Sequence, residues 1–193
     1  MFIKKYGWTA EEANGYNTIV SSISIIGLAI GSLIAGKVLG SGRRRAILIF
    51  ECFIFIGTLF TMVQSLFTLC LGRFICGISG GVLSVVMSKS MNETVPNEIS
   101  GSFGAMTNLY IVVGLLFAAA MGGVLPTDPE LYVADDNWRI IYGMPAIISM
   151  VQIAVFLVHF TEEPLLYSIG KGNDASAAIM IAKLFGVPNA KNE

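Results

Sequence analysis

The stretch GSGRRRAILIF, residues 40–50, decides how the rest of the chain reads. Three consecutive arginines stand between two of its most apolar runs. Of the 193 residues, 54% are hydrophobic and 13% are charged. A soluble domain carries about 25% charged residues, so this chain has too little polar surface to cover a water-soluble fold. Residues 16–36, 103–124 and 140–160 contain no Asp, Glu, Lys or Arg. Each is long enough to cross a hydrocarbon core of roughly 30 Å as a helix rising about 1.5 Å per residue. Residues 46–63 are interrupted only by Glu51, and residues 66–87 only by Arg73. Five spans are therefore expected. The runs are continuous rather than alternating, which argues against a β-barrel.

The arginines then have a physical reason. Insertion retains Lys and Arg on the cytoplasmic side of short loops. Lys37, Arg43, Arg44 and Arg45 mark the loop over 37–45 as cytoplasmic, and every second loop follows. The segment 125–138 carries Asp128, Glu130, Asp135 and Asp136 without a basic residue, as an outer loop would. Lys4 and Lys5 are discordant. Three regions are expected: a polar segment over 1–15, a five-helix bundle over 16–160, and a cytoplasmic tail over 161–193 with a short amphipathic helix. Thr9 and Glu12 match a capping box that opens the first helix. A start outside the membrane with no targeting segment suggests further sequence upstream. The Asn92-Glu93-Thr94 sequon faces the cytoplasm by this topology and is expected to stay unmodified.

Cys52, Cys70 and Cys76 lie within spans and read as packed thiols; no metal-ligand spacing is present. His159 ends a span. No nucleophile, acid–base pair or cofactor loop is evident, so neither an enzyme nor a cofactor is expected, and nothing points to nucleic acid. Gly27, Gly31 and Ala35 recur every four residues, and Gly77 and Gly81 repeat the spacing. Small residues so placed let helix backbones approach closely in lipid. Intramembrane charges are costly and are functional candidates by default. Glu51 lies roughly 7 Å inside one edge and Arg73 about 10 Å inside the other. On the order of 12 Å of depth separates them, so a direct ion pair is not expected. Glu51 reaches the interface or carries a proton.

Residues 72–101, GRFICGISGGVLSVVMSKSMNETVPNEISG, resemble the sugar porter branch of the major facilitator superfamily. The family's fourth helix and following loop read R-x3-G-x-G-x-G, then P-x-Y-x2-E-x2-P-x3-R-G. Arg73, Gly77, Gly81, Glu93, Pro96 and Gly101 match in one ungapped register. Ser79, Ser88, Ser90 and Ser100 replace a glycine, a proline, a tyrosine and an arginine. Gly42, Arg43 and Arg44 match the end of the G-x4-D-R/K-x-G-R-R signature, without its aspartate. Trp138 and Arg139 resemble the W-R that opens the sixth helix. Glu162 and Pro164 remain of a P-E-S-P-R motif in which Leu165 takes the arginine's place.

The resemblance implies part of an N-terminal half of an alternating-access carrier for a sugar or polyol, from before the second helix to after the sixth. It implies a gating network of Arg43 and Arg44 with Glu93 and Glu162. It implies a coupling or gating role for Arg73; Glu51 is a candidate for such a role only as an intramembrane charge. It puts Asn108 where the family has a sugar-binding glutamine; an interhelical hydrogen bond is the alternative. The family's first helix supplies the corresponding arginine with an aspartate, and this chain lacks that helix. Arg73 is therefore expected to need a polar partner from a missing segment or another subunit, unless a backbone carbonyl with trapped water substitutes. A non-transporting structural subunit is the competing function. The plasma membrane is the expected location, with an organellar membrane such as the mitochondrial inner membrane as the alternative.

Overall fold

The computed structural model describes residues 10–63, 65–95, 99–123 and 138–159. Among them are five α-helices and no strand: α1 Ala10–Val38, α2 Arg43–Thr61, α3 Leu66–Thr94, α4 Ser100–Gly123 and α5 Trp138–His159. The polar start over 1–9, the segment 124–137 and the tail over 160–193 with its expected amphipathic helix lie outside the described residues.

Four helices are long and apolar enough to cross a membrane. The fifth, α2, has 19 residues with Arg43, Arg44 and Arg45 in its first turn and Glu51 inside it. At about 1.5 Å per residue it is roughly 28 Å long, close to the thickness of a hydrocarbon core.

Two expected loops are shorter than the sequence suggested. The connection over 37–45 contracts to one 3-10 turn, Leu39–Ser41, and Gly42. The backbone at Gly42 has φ 115° and ψ 139°, a region closed to most side chains. The chain reverses there, and the arginines become helical. Basic residues at a helix N-terminus oppose the helix dipole, which costs each about 0.3–1 kcal/mol. Their position thus needs another source of stabilisation. Likewise, residues 88–94, expected to begin a loop, continue α3. The Ser88 and Ser90 hydroxyls donate to the Ser84 and Val86 carbonyls at 2.8 Å each, so these polar residues are satisfied along the helix itself.

The bundle is organised around α3, which packs against α1 on one side and α2 on another; α5 packs on α2. The α1–α3 contact is a meeting of backbones. A methyl built on Gly27 would lie 2.7 Å from the Phe74 carbonyl oxygen. Methyls on Gly31, Gly77 and Gly81 would collide with the carbonyls of Ile78, Ser24 and Leu28 respectively. Ser24 adds a hydrogen bond across the seam, its Oγ donating to the Arg73 carbonyl at 3.2 Å. A second close approach joins α2 and α3, where Gly57 and Gly72 meet beside Thr61 and Cys76. The apolar core gathers at the arginine end: Ala35, Leu39, Ala46, Ile47, Val82, Leu83 and Val86 are all buried together. By contrast α4 has no buried residue.

Overpacking a tight contact costs typically about 1–3 kcal/mol. Gly31→Val is expected to destabilise the solubilised protein by about that much. Gly114→Ala, in open space on α4, should not destabilise it, since alanine is preferred over glycine in a helix interior by up to about 1 kcal/mol. Thermal unfolding followed by helical circular dichroism tests both. Equal midpoints for the two variants would show that the seam is not tight.

Candidate functional site

At the arginine end, Gly42 delivers Arg43 directly onto α2, with its side chain toward the last turn of α3. Glu93 waits there because α3 runs on to Thr94. Arg43 Nε donates to Glu93 Oε2 at 2.9 Å, and Nη2 to Oε1 at 2.6 Å. Nη1 donates to the Leu39 carbonyl at 3.2 Å. One guanidinium thus ties three things together: the turn between α1 and α2, the start of α2, and the end of α3. The paired side chains are 13% and 15% exposed, so water screens them less than a surface pair. The fork-to-fork geometry suits Arg and cannot be reproduced by Lys. Arg44 is half-buried in the same turn, while Arg45 is exposed. Glu162 lies outside the described residues.

Two other charges sit inside the bundle. Glu51 is 4% exposed and faces α5, where Ser149 Oγ lies 3.0 Å from its Oε2. It does not reach the surface of the bundle, because α5 covers it. Arg73 places its guanidinium carbon 5.0 Å from the centre of the Tyr142 ring. Its Nε is buried with no hydrogen-bond partner among the described residues. The ring face supplies electrostatic attraction worth about 0.5–2 kcal/mol, but no lone pair for that N–H. Glu51 and Arg73 do not meet.

Asn108 is exposed and lines a cleft of about 220 Å³ between the end of α3 and the start of α4, with Ser88, Met91, Asn92, Phe103 and Thr107. Thr107 Oγ1 lies 3.5 Å from Met91 Sδ across that junction. The structure therefore sets Asn108 beside the polar end of α3, apart from Arg73 and Glu51. No group of potential metal ligands exists among the described residues. Sequence reasoning missed Tyr142 and Ser149. It also missed Gly57 and Gly72, although these stand at equal distances from the turn between α2 and α3, where a helical hairpin brings residues face to face.

A family described as sugar (and other) transporter matches residues 1–193. Hexose transporter 1 of Toxoplasma gondii is 25% identical over 209 residues, covering 99% of this chain and 37% of that protein. The human solute carrier family 2, facilitated glucose transporter member 9, is 30% identical over 184 residues, covering 91% of this chain and 32% of that protein. The inward-open xylose transporter XylE from E. coli superposes with a TM-score of 0.77 at 18% identity, over 96% of this chain and 45% of that one. The chain thus spans about a third to two fifths of the length of the two curated relatives.

Hydrogen bonds to charged groups contribute about 1.5–3 kcal/mol. Arg43→Gln and Glu93→Gln should each destabilise the bundle by about 1–3 kcal/mol. The double replacement should cost less than the sum by at least about 0.5 kcal/mol. Denaturation of the four proteins in detergent gives the coupling directly; strict additivity would mean that the pair does not act as a unit.

Proposed function

The chain belongs to the sugar transporter family, and from that membership we propose that it forms part of a carrier that moves a sugar across a membrane by alternating access. The observation that carries this reading is the Arg43–Glu93 fork at one end of the bundle. A carrier that alternates needs contacts that hold one state and break in the other. A half-buried, charge-assisted pair between a turn and a helix end is such a contact. It is strong enough to bias a conformation and weak enough to open. We assign it to the cytoplasmic side, with Arg44 and Glu162 as further members. The bundle over 16–160 would sit in the family's N-terminal half. Asn108 is proposed to bind sugar hydroxyls, since an amide both donates and accepts toward a vicinal pair.

Two features support a need for further helices. The chain spans about a third of the relatives it resembles. The buried Arg73 Nε has no acceptor among the described residues, and a guanidinium cannot shed its charge. We propose that a further segment or another subunit supplies that acceptor and completes the pathway. Hexose transport also favours the plasma membrane, where an external sugar is first met.

Counterflow of labelled glucose tests the proposal in vesicles of the native membrane. Exchange should be saturable and stereospecific, and Arg43→Gln should slow it about tenfold, the equivalent of roughly 1.4 kcal/mol. Vesicles holding these 193 residues alone should exchange none. Native vesicles that exchange no sugar, exchange untouched by Arg43→Gln, or uptake by the chain alone would each contradict it.

A further inference from the structure

Glu51 and Ser149 form a contact that the transport reading does not use. The two residues are 4% and 2% exposed, on facing helices α2 and α5. Ser149 Oγ lies 2.9 Å from the main-chain oxygen of Glu51 and 3.0 Å from its Oε2. Both are hydrogen-bond separations for a pair of oxygens. A serine hydroxyl carries one hydrogen, so it serves one of these contacts well. Were the carboxyl ionised, the three oxygens would share that single hydrogen. One contact would then set two acceptors against each other in a buried place. A protonated carboxyl supplies the second hydrogen. Ser149 Oγ–H then donates to the Glu51 main-chain oxygen, and the carboxyl O–H donates to Ser149 Oγ. Each contact has its own hydrogen.

The groups around this pair agree. On α2 itself the arginines stand six to eight residues away, about 9–12 Å along the axis; Cys52 is exposed. On α3, the Cys76 thiol is engaged with the Ile54 carbonyl and Thr58, further along α2. Arg73 is held over Tyr142, which lies seven residues from Ser149 on α5, about 10 Å. Arg139 and His159 are each ten residues from Ser149, about 15 Å. Among the described residues no cation pairs with Glu51. An ionised carboxylate would therefore be buried with one hydroxyl for company, an arrangement that low-dielectric surroundings penalise heavily.

We infer that Glu51 is a proton-binding site whose bound proton bridges α2 and α5 inside the apolar bundle. Release of that proton leaves an uncompensated buried anion, so it is linked to parting of α5 from α2 or entry of water between them. Occupancy of the site and closure of the α2–α5 contact rise and fall together. The inference stands on these two side chains and holds whatever solute the protein moves.

Infrared difference spectroscopy of the full chain in lipid vesicles at neutral pH reads the proton directly. The wild type minus Glu51→Gln spectrum should show the carbonyl stretch of one protonated carboxylic acid, shifted on exchange into D2O. In Ser149→Ala the band should persist at higher frequency, because the acid has lost its acceptor. The amide bands in the same spectra report folding. Gln is a neutral isostere of the protonated acid, so Glu51→Gln should fold; failure to fold would overturn the inference. Absence of the band at neutral pH, or its survival in Glu51→Gln, would overturn it as well.

Discussion

Backbone contact between α1 and α3 is the constraint on which the other contacts depend. Gly27 and Gly31 on one helix and Gly77 and Gly81 on the other remove the side chains that would hold the axes apart. In lipid there is no water-driven force to join two apolar helices, so close packing and short polar contacts must supply the attraction. The Ser24 bond to the Arg73 carbonyl belongs to that seam. Dispersion gains there are individually small and collectively large. With α3 fixed against α1, the hairpin approach at Gly57 and Gly72 brings α2 to the other side of α3, and α5 follows onto α2.

The seam also fixes the distance that Arg43 must bridge. The end of α1 and the end of α3 arrive side by side, and the Leu39–Gly42 turn reverses the chain between them. Three arginines in the first turn of α2 work against that helix's dipole. Glu93 and the Leu39 carbonyl offset this for Arg43. The same residues that mark a membrane orientation in the sequence therefore close one end of the bundle. The buried core at the same end is centred on Val82 and Val86.

The five helices were legible because charge-free runs of their length have few other uses. The glycine spacing on α1 and α3 was legible for the same reason: it repeats once per turn on each helix. Arg43 with Glu93 was reached through the family resemblance, and their meeting also required α3 to persist past Ser88. That persistence was invisible to hydropathy, since residues 88–94 are polar except for Met91, yet helical. Ser149 and Tyr142 could not be read at all. Each is an ordinary residue whose importance comes from a partner 98 or 69 positions away, and periodicity along one helix carries no information about which face of another it meets. Depth arithmetic along straight helices could not say what covers Glu51 or Arg73; that is Ser149 for one and Tyr142 for the other. For Asn108, counting along a helix gave a position; the cleft beside Ser88 and Asn92 gives its surroundings.

The most direct test of this account is the distance between the Gly27 and Gly77 backbones in a membrane. A methyl on Gly27 would lie 3.3 Å from the Gly77 Cα, so with one carbon–carbon bond of about 1.5 Å the two Cα atoms stand within roughly 4.8 Å. Solid-state carbon–carbon correlation spectra of the glycine-labelled chain in lipid bilayers should contain a Gly27–Gly77 Cα cross-peak at mixing times that reach this range. A spectrum with the Gly57–Gly72 cross-peak present and the Gly27–Gly77 cross-peak absent would show α3 parted from α1. The seam, and the placement of Glu93 that follows from it, would then be wrong.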